Sequence, residues 1–282
     1  MFSFGWFSSG RGQGSIDLLT TAHQKMTEGF ISGRIAYVFC DRGPGETPGA
    51  DRFHEVVRSL HLPLITLSSL SLRQKIRQKS LDIEQARSKF DQRVMALLAG
   101  YEVHVVVLAG YMLVLSPHLC EHLLCLNLHP AVPGGPQGTW RQVMWHLMET
   151  GAREAGAMMH LVTPVLDKGP PVTYFHFPLQ GPGFDPLWRA YREKRLQLSQ
   201  EDIKTQEGDQ EPLFAYLRAE ELRREFPLIL LTLKNLATGR LVLTFAGVRE
   251  AGRLVPNGFD MSPEVEEYIK SKRKAREYRE NS

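Results

Sequence analysis

The segment 103–130 constrains the fold of this chain more than any other part of the sequence. It begins with a nearly unbroken β-branched run at 103–108, which is typical of a strand buried on both faces of a parallel sheet. Ser116 and Pro117 then predict the start of a short helix, because serine is a favoured N-cap and proline suits the first turn. A second short strand is expected at 125–128. The pattern therefore predicts two buried strands with a short helical connection.

Asn127 and His129 lie two residues apart at the end of that second strand, so their side chains are expected on the same face. Pro130 then ends the strand ladder. The carboxyl edge of a parallel sheet is where open α/β folds bind ligands. A lone histidine at a strand end is, however, more often a half-buried structural residue, and an asparagine beside it can cap a turn. This segment alone leaves both interpretations open.

Strands and helices alternate through the first half of the chain, which predicts an α/β fold with a doubly wound, mostly parallel sheet flanked by helices. Strands are expected at 2–8, 35–41 and 63–68, and helices at 16–30, 51–60 and 72–99. In the second half, strands are expected at 157–164, 171–178 and 241–245, and helices at 141–150 and 213–224. The polar segment 191–212 is expected to be an inserted helix or a mobile excursion, and the charged tail from Ser262 to be helical.

A glycine loop with the sequence SGRGQGS follows the first predicted strand at 9–15. Glycines between a strand and a helix let backbone N–H groups converge on an anion, and the helix N-terminus adds its positive end. Arg11 adds a charge. The alternative is a flexible glycine turn, since a glycine loop by itself is weak evidence. The glycines at 10, 12 and 14 do not match the dinucleotide-binding fingerprint.

The composition of the chain limits the classes of binding partner that are expected. A net charge of +3 does not argue for nucleic acid, although it suits an anionic small molecule. Three cysteines without a CxxC pair favour free thiols in a reducing compartment. No targeting segment or membrane-length apolar run is recognisable, so a cytoplasmic protein without membrane contact is expected. The histidines and cysteines at 118–129 are crowded, but their spacing matches no common metal site, and no metal is predicted.

Four segments, taken in order, resemble phosphoribosylglycinamide formyltransferase of the folate-dependent formyltransferase superfamily. They are the glycine loop, LAGYMLVLSP, LNLHP and HLVTPVLDKGP. The resemblance extends from the first strand to about residue 259. It implies a formyltransferase domain at 1–259, with 191–212 as a polar insertion, followed by a charged helical tail at 260–282.

The resemblance also implies site residues. The catalytic residues would be Asn127, His129 and Asp167. The acceptor's phosphate would be bound by Arg11, Gly12, Gly14, Ser15 and Ile16. The folate would be bound by Arg87, Met112, Leu113, Val114, Leu115 and Asn127. Supporting positions would be His160 and Gly169.

The implied reaction explains why these residue types are needed. An amine attacks the formyl carbon of the co-substrate 10-formyltetrahydrofolate, which gives a tetrahedral oxyanion and an ammonium group that must lose a proton. Asn127 would donate a hydrogen bond to the oxyanion. His129 would stabilise the oxyanion and deliver a proton to the leaving nitrogen. Asp167 would stabilise the protonated imidazole and help to move the ammonium proton.

The sequence also departs from the family pattern. Ile16 stands where the phosphate turn usually has Asn, and Leu113 where the folate segment usually has Arg. Ala155 and Trp140 each replace a histidine that is common in the family, and Glu220 or Glu221 is the candidate for the glutamate near the ribose. Formyltetrahydrofolate deformylase, which transfers the formyl group to water, and a non-catalytic folate- or phosphate-binding relative therefore stay as alternatives. The expected partners are the small-molecule substrates alone, bound by a monomer or homodimer.

Overall fold

The computed structural model describes residues 1–280, with side chains as far as residue 274. Its strands are β1 (Phe2–Ser8), β2 (Gly33–Cys40), β3 (Leu64–Thr66), β4 (Val105–Leu108), β5 (Cys125–His129), β6 (Glu154–Leu161), β7 (Pro171–Pro178), β8 (Leu241–Thr244), β9 (Gly247–Glu250), β10 (Arg253–Leu254) and β11 (Phe259–Asp260). Its α-helices are α1 (Gln13–Thr27), α2 (Pro48–Ser59), α3 (Leu70–Arg77), α4 (Ile83–Leu98), α5 (Pro117–His122), α6 (Trp140–Thr150), α7 (Asp185–Arg195), α8 (Gln200–Gln206), α9 (Pro212–Ala237) and α10 (Ser262–Glu280).

The larger sheet has the strand order β11-β7-β6-β5-β4-β1-β2-β3. The pairs β3–β2, β2–β1, β1–β4, β4–β5 and β7–β11 are all parallel. The predicted α/β fold, with a mostly parallel sheet flanked by helices and a helical C-terminal extension, is therefore confirmed. Strands β8, β9 and β10 form a separate small sheet that the sequence analysis predicted only in part.

Residue contacts divide the chain into two compact units. The first contains residues 1–127, 160–170 and 232–256, and the second contains residues 128–159, 171–231 and the chain from 257 onward. In the first unit, β4 lies between β1 and β5, and all four of its residues are buried. This agrees with the prediction from its β-branched run, because a central strand of a parallel sheet has no solvent face.

A hydrophobic cluster with several aromatic side chains fills the core of the first unit beside β4. Phe7 packs against Phe39 and Tyr111, with ring centroids 4.9 and 5.4 Å apart. Val94 of α4 and Leu119 of α5 belong to the same cluster, and both are fully buried. Each such side chain contributes about 1.5–3 kcal/mol on burial, so this core holds the strand ends in fixed positions.

Two of the predicted helices differ substantially in extent from the observed ones. The segment 72–99 is not one helix, because α3 ends at Arg77, Lys79 is left-handed (φ 50°), and α4 begins after Asp82. The helix predicted at 213–224 is longer than expected, since α9 continues through Pro227 as far as Ala237. The polar segment 191–212 forms the end of α7, all of α8 and a short 3₁₀ turn, so its helical interpretation is confirmed.

None of the helices within residues 1–280 combines the length and the apolar character that crossing a membrane requires.

Candidate functional site

Asn127 lies near the end of β5 and donates from Nδ2 to His160 Nε2, with 3.4 Å between the two nitrogens. The other ring nitrogen of His160, Nδ1, is 3.1 Å from the carbonyl oxygen of Leu161, which can only accept. A neutral His160 with its proton on Nδ1 satisfies both contacts, because Nε2 is then an acceptor. Asn127 has a second amide hydrogen, so it can also donate to another oxygen.

Asp167 lies in the loop after β6, with its Oδ1 3.8 Å from His160 Nε2. The contact becomes an ion pair when His160 is protonated. Asp167 has a left-handed backbone (φ 54°), a conformation that is uncommon outside glycine and is concentrated at functional sites. Two residues later, a Cβ on Gly169 would come within 1.6 Å of the Leu161 carbonyl oxygen. Only glycine fits there, so the close approach of this loop to β6 depends on that residue.

His129 ends β5 and is only 3% exposed. Its Nε2 lies 2.9 Å from the carbonyl oxygen of Pro136, so Nε2 carries a proton and donates it to this contact. Asn127 and His129 are two residues apart on the strand and share a face. The structure thus brings Asn127 and Asp167 to the same ring nitrogen of His160, Nε2, while the other ring nitrogen faces the Leu161 carbonyl.

The glycine loop leads into α1, which begins at Gln13, three residues earlier than predicted. Gly12 is its N-cap and supplies no side-chain hydrogen bond to the helix amides. A Cβ at Gly12 or Gly14 would meet nothing within 4 Å, so the space above the first turn is open. Ile16 is buried, which leaves only its backbone for any ligand. Arg11 is exposed beside this opening.

The predicted folate segment is held at both ends by polar side chains. The Met112 N–H donates to Ser9 Oγ at 3.0 Å, and the Ser116 N–H donates to Asp91 Oδ2 at 2.6 Å. Between them, Leu113 and Val114 are partly buried and Leu115 is buried. Arg87, one turn before Asp91 on α4, is bonded to Glu84 on its own helix.

Sequence analysis missed two residues of this region. Asp91 is 2% exposed, and burial raises its pKa, although the Ser116 backbone hydrogen bond acts in the opposite direction. Its partner is 25 positions away, so no local pattern marks it. Arg42 comes two residues after the end of β2, at the same edge of the sheet as the glycine loop. The strand-end rule that singled out Asn127 would also have marked Arg42.

Trp140 and Glu221 lie in the second unit. The guanidinium carbons of Arg141 and Arg218 lie 4.4 and 4.7 Å from the Trp140 ring centroid. Glu221 is fully buried and bonded to Arg218. Burial raises the pKa of Glu221 to about 8, and the Glu225 charge adds to the effect. Glu221 thus takes part in a buried ion pair with Arg218 inside the second unit. Glu220, the other candidate for the ribose, pairs with arginines of its own helix.

A family model described as formyl transferase matches residues 10–179, more than half of the chain. Among curated proteins, phosphoribosylglycinamide formyltransferase of Escherichia coli (strain K12) is 35% identical over 98 residues, covering 33% of this chain and 44% of that protein. Formyltetrahydrofolate deformylase of Mycobacterium tuberculosis (strain ATCC 25618 / H37Rv) is 40% identical over 86 residues, covering 30% of this chain and 27% of that protein. The chain spans less than half the length of either relative in these matches.

Solved structures share the fold over most of the chain. Glycinamide ribonucleotide transformylase 1 from Symbiobacterium toebii has a TM-score of 0.58 at 24% identity, covering 89% of this chain and 94% of that one. Formyltetrahydrofolate deformylase from Burkholderia mallei ATCC 23344 has a TM-score of 0.52 at 16% identity, covering 88% of this chain and 69% of that one. At these identities the likeness concerns the fold alone.

Proposed function

Since the chain belongs to the formyl transferase family, we propose that it transfers the formyl group of 10-formyltetrahydrofolate to the amine of 5'-phosphoribosylglycinamide, a step of purine biosynthesis. The observation that carries the proposal is the polar chain from Asn127 through His160 to Asp167 at the ends of β5 and β6. It provides a neutral donor, a ring of defined tautomer and a carboxylate, which are the group types that acyl transfer to an amine requires.

The reaction forms one bond and breaks one. The lone pair of the acceptor amine attacks the formyl carbon, and the carbonyl oxygen becomes an oxyanion. The bond from that carbon to N10 of the folate then breaks, N10 takes a proton, and the new amide nitrogen loses one. Tetrahydrofolate and the formylated amine are the products, and no external oxidant or reductant is needed.

Each polar group has a distinct part in this mechanism. The amide hydrogen of Asn127 that does not face His160 donates to the oxyanion. His160 acts as a positioning residue, because its contact with the Leu161 carbonyl fixes the acceptor nitrogen that orients Asn127. His129 delivers the proton to N10, and Asp167 takes part in removing the proton from the ammonium group.

The folate and the acceptor are assigned to different loops. The segment 112–115, held by Ser9 and Asp91, offers backbone groups to the flat pterin ring of the folate. The open first turn of α1, with Arg11 beside it, offers backbone N–H groups and a charge to the acceptor's phosphate. A phosphate site has no use in hydrolysis, so this loop favours the amine over water as the acceptor.

Hydrolysis of 10-formyltetrahydrofolate is the second candidate. The 40% identity to a deformylase over 86 residues favours it, as does the absence of an Asn side chain at position 16. Both candidates use the same formyl donor and the same groups, and they differ in the nucleophile.

The deciding experiment mixes the purified protein with 10-formyltetrahydrofolate, with and without phosphoribosylglycinamide, and follows tetrahydrofolate release. We expect turnover only when the amine is present, and Asp167→Asn should abolish most of it. Equal turnover without the amine would replace this proposal by hydrolysis. No turnover in either mixture would support a binding protein without catalytic activity.

The remaining expectations accompany this function. They are small-molecule partners alone, no resident metal, a cytoplasmic location and a monomer or homodimer. Size-exclusion chromatography with light scattering tests the last of these.

A further inference from the structure

The ends of β1 and β2 bring Arg42 close to the glycine loop. The two strands are parallel, and Ser8 stands opposite Cys40 in their register. The chain beyond β2 also packs on the loop, because a Cβ on Gly49 would lie 3.1 Å from the Gly10 carbonyl oxygen and 3.3 Å from that of Arg11. Arg42 comes two residues after the end of β2, at this edge of the sheet, and its guanidinium is close enough to Arg11 for the two charges to interact.

The carboxylates at this edge already have partners within the protein. Asp41 is fully buried, and its Oδ2 accepts from Ser69 Oγ at 2.8 Å and from the Arg73 guanidinium. That carboxylate is thus used by Arg73. Glu46 is the nearest other carboxylate along the chain, and its Oε1 accepts the Gly43 N–H at 2.8 Å.

Arg42 itself is half-buried, and its Nε is shielded from solvent without a hydrogen-bond partner within residues 1–274. Burial lowers the pKa of its guanidinium, and the Arg73 and Arg11 charges act in the same direction, against Asp41 and Glu46. A buried donor without a partner costs about 1–3 kcal/mol and is usually satisfied by something else. Because Arg42 Nε is a donor, its partner must be a hydrogen-bond acceptor. A negatively charged acceptor would also relieve the repulsion from the other arginines.

We propose that Arg42 binds the phosphate of the acceptor together with Arg11, so that two guanidinium groups select a dianionic phosphate monoester. The inference rests on the proposed function, because it assigns a recognition residue to that acceptor. It also accounts for Ile16, since a second guanidinium replaces the amide side chain that this position lacks. Planar guanidinium groups suit phosphate oxygens because they donate two parallel hydrogen bonds.

The first test measures binding without formyl transfer, so its outcome is independent of the reaction catalysed. Ribose 5-phosphate and ribose are titrated calorimetrically into the full-length protein and into Arg42→Gln. Losing one hydrogen bond to a charged group should weaken ribose 5-phosphate binding by about ten- to a hundred-and-fifty-fold. Arg42→Lys, which keeps the charge but not the planar fork, should fall between the two, and ribose should not bind measurably.

The matched control is Arg34→Gln, because Arg34 is exposed at the opposite end of the same strand. It should bind ribose 5-phosphate within about twofold of the unaltered protein. The inference is overturned if Arg42→Gln binds as the unaltered protein does, if Arg34→Gln weakens binding equally, or if the unaltered protein does not bind ribose 5-phosphate. Thermal unfolding of each variant shows whether a loss reflects misfolding, in which case the Arg42→Lys comparison decides.

The second test uses steady-state kinetics with both substrates. Arg42→Gln should raise KM for phosphoribosylglycinamide by a similar factor and leave KM for 10-formyltetrahydrofolate within about twofold. Should transfer to the amine not occur at all, the proposed function fails while the ribose 5-phosphate titration still decides the role of Arg42. An equal rise in both KM values would remove Arg42 from the phosphate site.

Discussion

Two regions of the first unit, both at strand ends, are built in opposite ways. In the first region, Asn127 and Asp167 both approach Nε2 of His160, and a left-handed backbone at Asp167 and a tightly packed Gly169 shape the loop that carries Asp167. The glycine loop at 10–15 is open above α1, and Arg11 and Arg42 lie close enough for their charges to interact. The first region is held by contacts within the protein, whereas the second is open above the helix.

This difference separates the chemistry from the choice of acceptor. The groups proposed to act on the formyl-folate are held by strands and buried contacts, so we expect them to tolerate little change. The loop proposed to bind the acceptor's phosphate offers backbone groups and long cationic side chains, which can be exchanged without disturbing the sheet. Formyl transfer to an amine and hydrolysis can therefore share the first region and differ in the second.

The largest expected effect is that of Asp167→Asn. The substitution keeps the shape but removes the charge beside His160, and general acid–base groups contribute on the order of a hundred- to ten-thousand-fold. We expect kcat to fall within that range while both KM values change little. His129→Ala should behave similarly. Lys168→Gln, in the same loop and exposed, is the control. Near-normal turnover by Asp167→Asn would rule out the role given to this carboxylate.

The next effect is that of Gly169→Ala, which tests whether close packing fixes the catalytic loop. The added Cβ would collide with the Leu161 carbonyl oxygen, so the loop that carries Asp167 must move. A shift of about 1 Å costs on the order of a hundredfold in rate, and overpacking costs about 1–3 kcal/mol in stability. Turnover and thermal unfolding are both measured. Gly100→Ala, where nothing lies within 4 Å of the added Cβ, should have neither effect.

A smaller and selective effect is expected at the glycine loop. Arg11→Ala should raise KM for the acceptor by about ten- to a hundred-and-fifty-fold, because one charge-assisted contact to the phosphate is lost. KM for 10-formyltetrahydrofolate should not change, and kcat should stay within about twofold. Steady-state kinetics with each substrate varied in turn measures both values. An equal change in the two KM values would contradict the proposal that the glycine loop binds the acceptor and not the folate.

The first region was more predictable from the sequence than the second, for physical reasons. Asn127 and His129 follow a strand that hydrophobicity alone reveals, and alternation along the strand fixes the face they share. The left-handed turn at Asp167 could be expected near Gly169 and Pro170, although the 3.8 Å contact with His160 could not. Local sequence determines strand ends and turns, and it says little about which distant groups meet there.

No simple sequence pattern marks the features that were missed. The break between α3 and α4 comes from a left-handed Lys79, a conformation that no lysine propensity predicts. Pro227 lies inside α9, because tertiary packing overrides its helix-breaking tendency. Arg42 is marked by its unpartnered Nε, which is defined only once the surrounding elements are in place.

The smallest effect is expected for Asp91→Asn. This substitution tests the predicted folate segment, which is a third region beside the two compared above. Asp91 accepts the Ser116 N–H at 2.6 Å and thereby fixes the carboxyl end of the segment that follows Met112. An asparagine oxygen can also accept this N–H, so only the charge contribution is lost, about 1 kcal/mol or roughly fivefold. KM for 10-formyltetrahydrofolate should rise by about that factor, with KM for the acceptor unchanged. This is the reverse of the selectivity expected for Arg11→Ala.

The pH dependence of stability tests the raised pKa of Asp91, and KM for the folate tests whether Asp91 positions the segment. Burial raises the pKa of Asp91 in the folded protein, so the folded state binds the proton more tightly than the unfolded chain. The wild-type protein therefore loses stability as pH rises from the unfolded carboxyl value of about 3.9 through the raised folded value. Asparagine does not titrate, so the stability of Asp91→Asn relative to wild type should increase with pH across that window. Urea unfolding at several pH values measures the difference. If it is constant with pH while the folate KM still rises, the hydrogen bond to Ser116 positions the segment without any contribution from titration of this carboxyl. If the KM is unchanged as well, Asp91 does not position the folate segment.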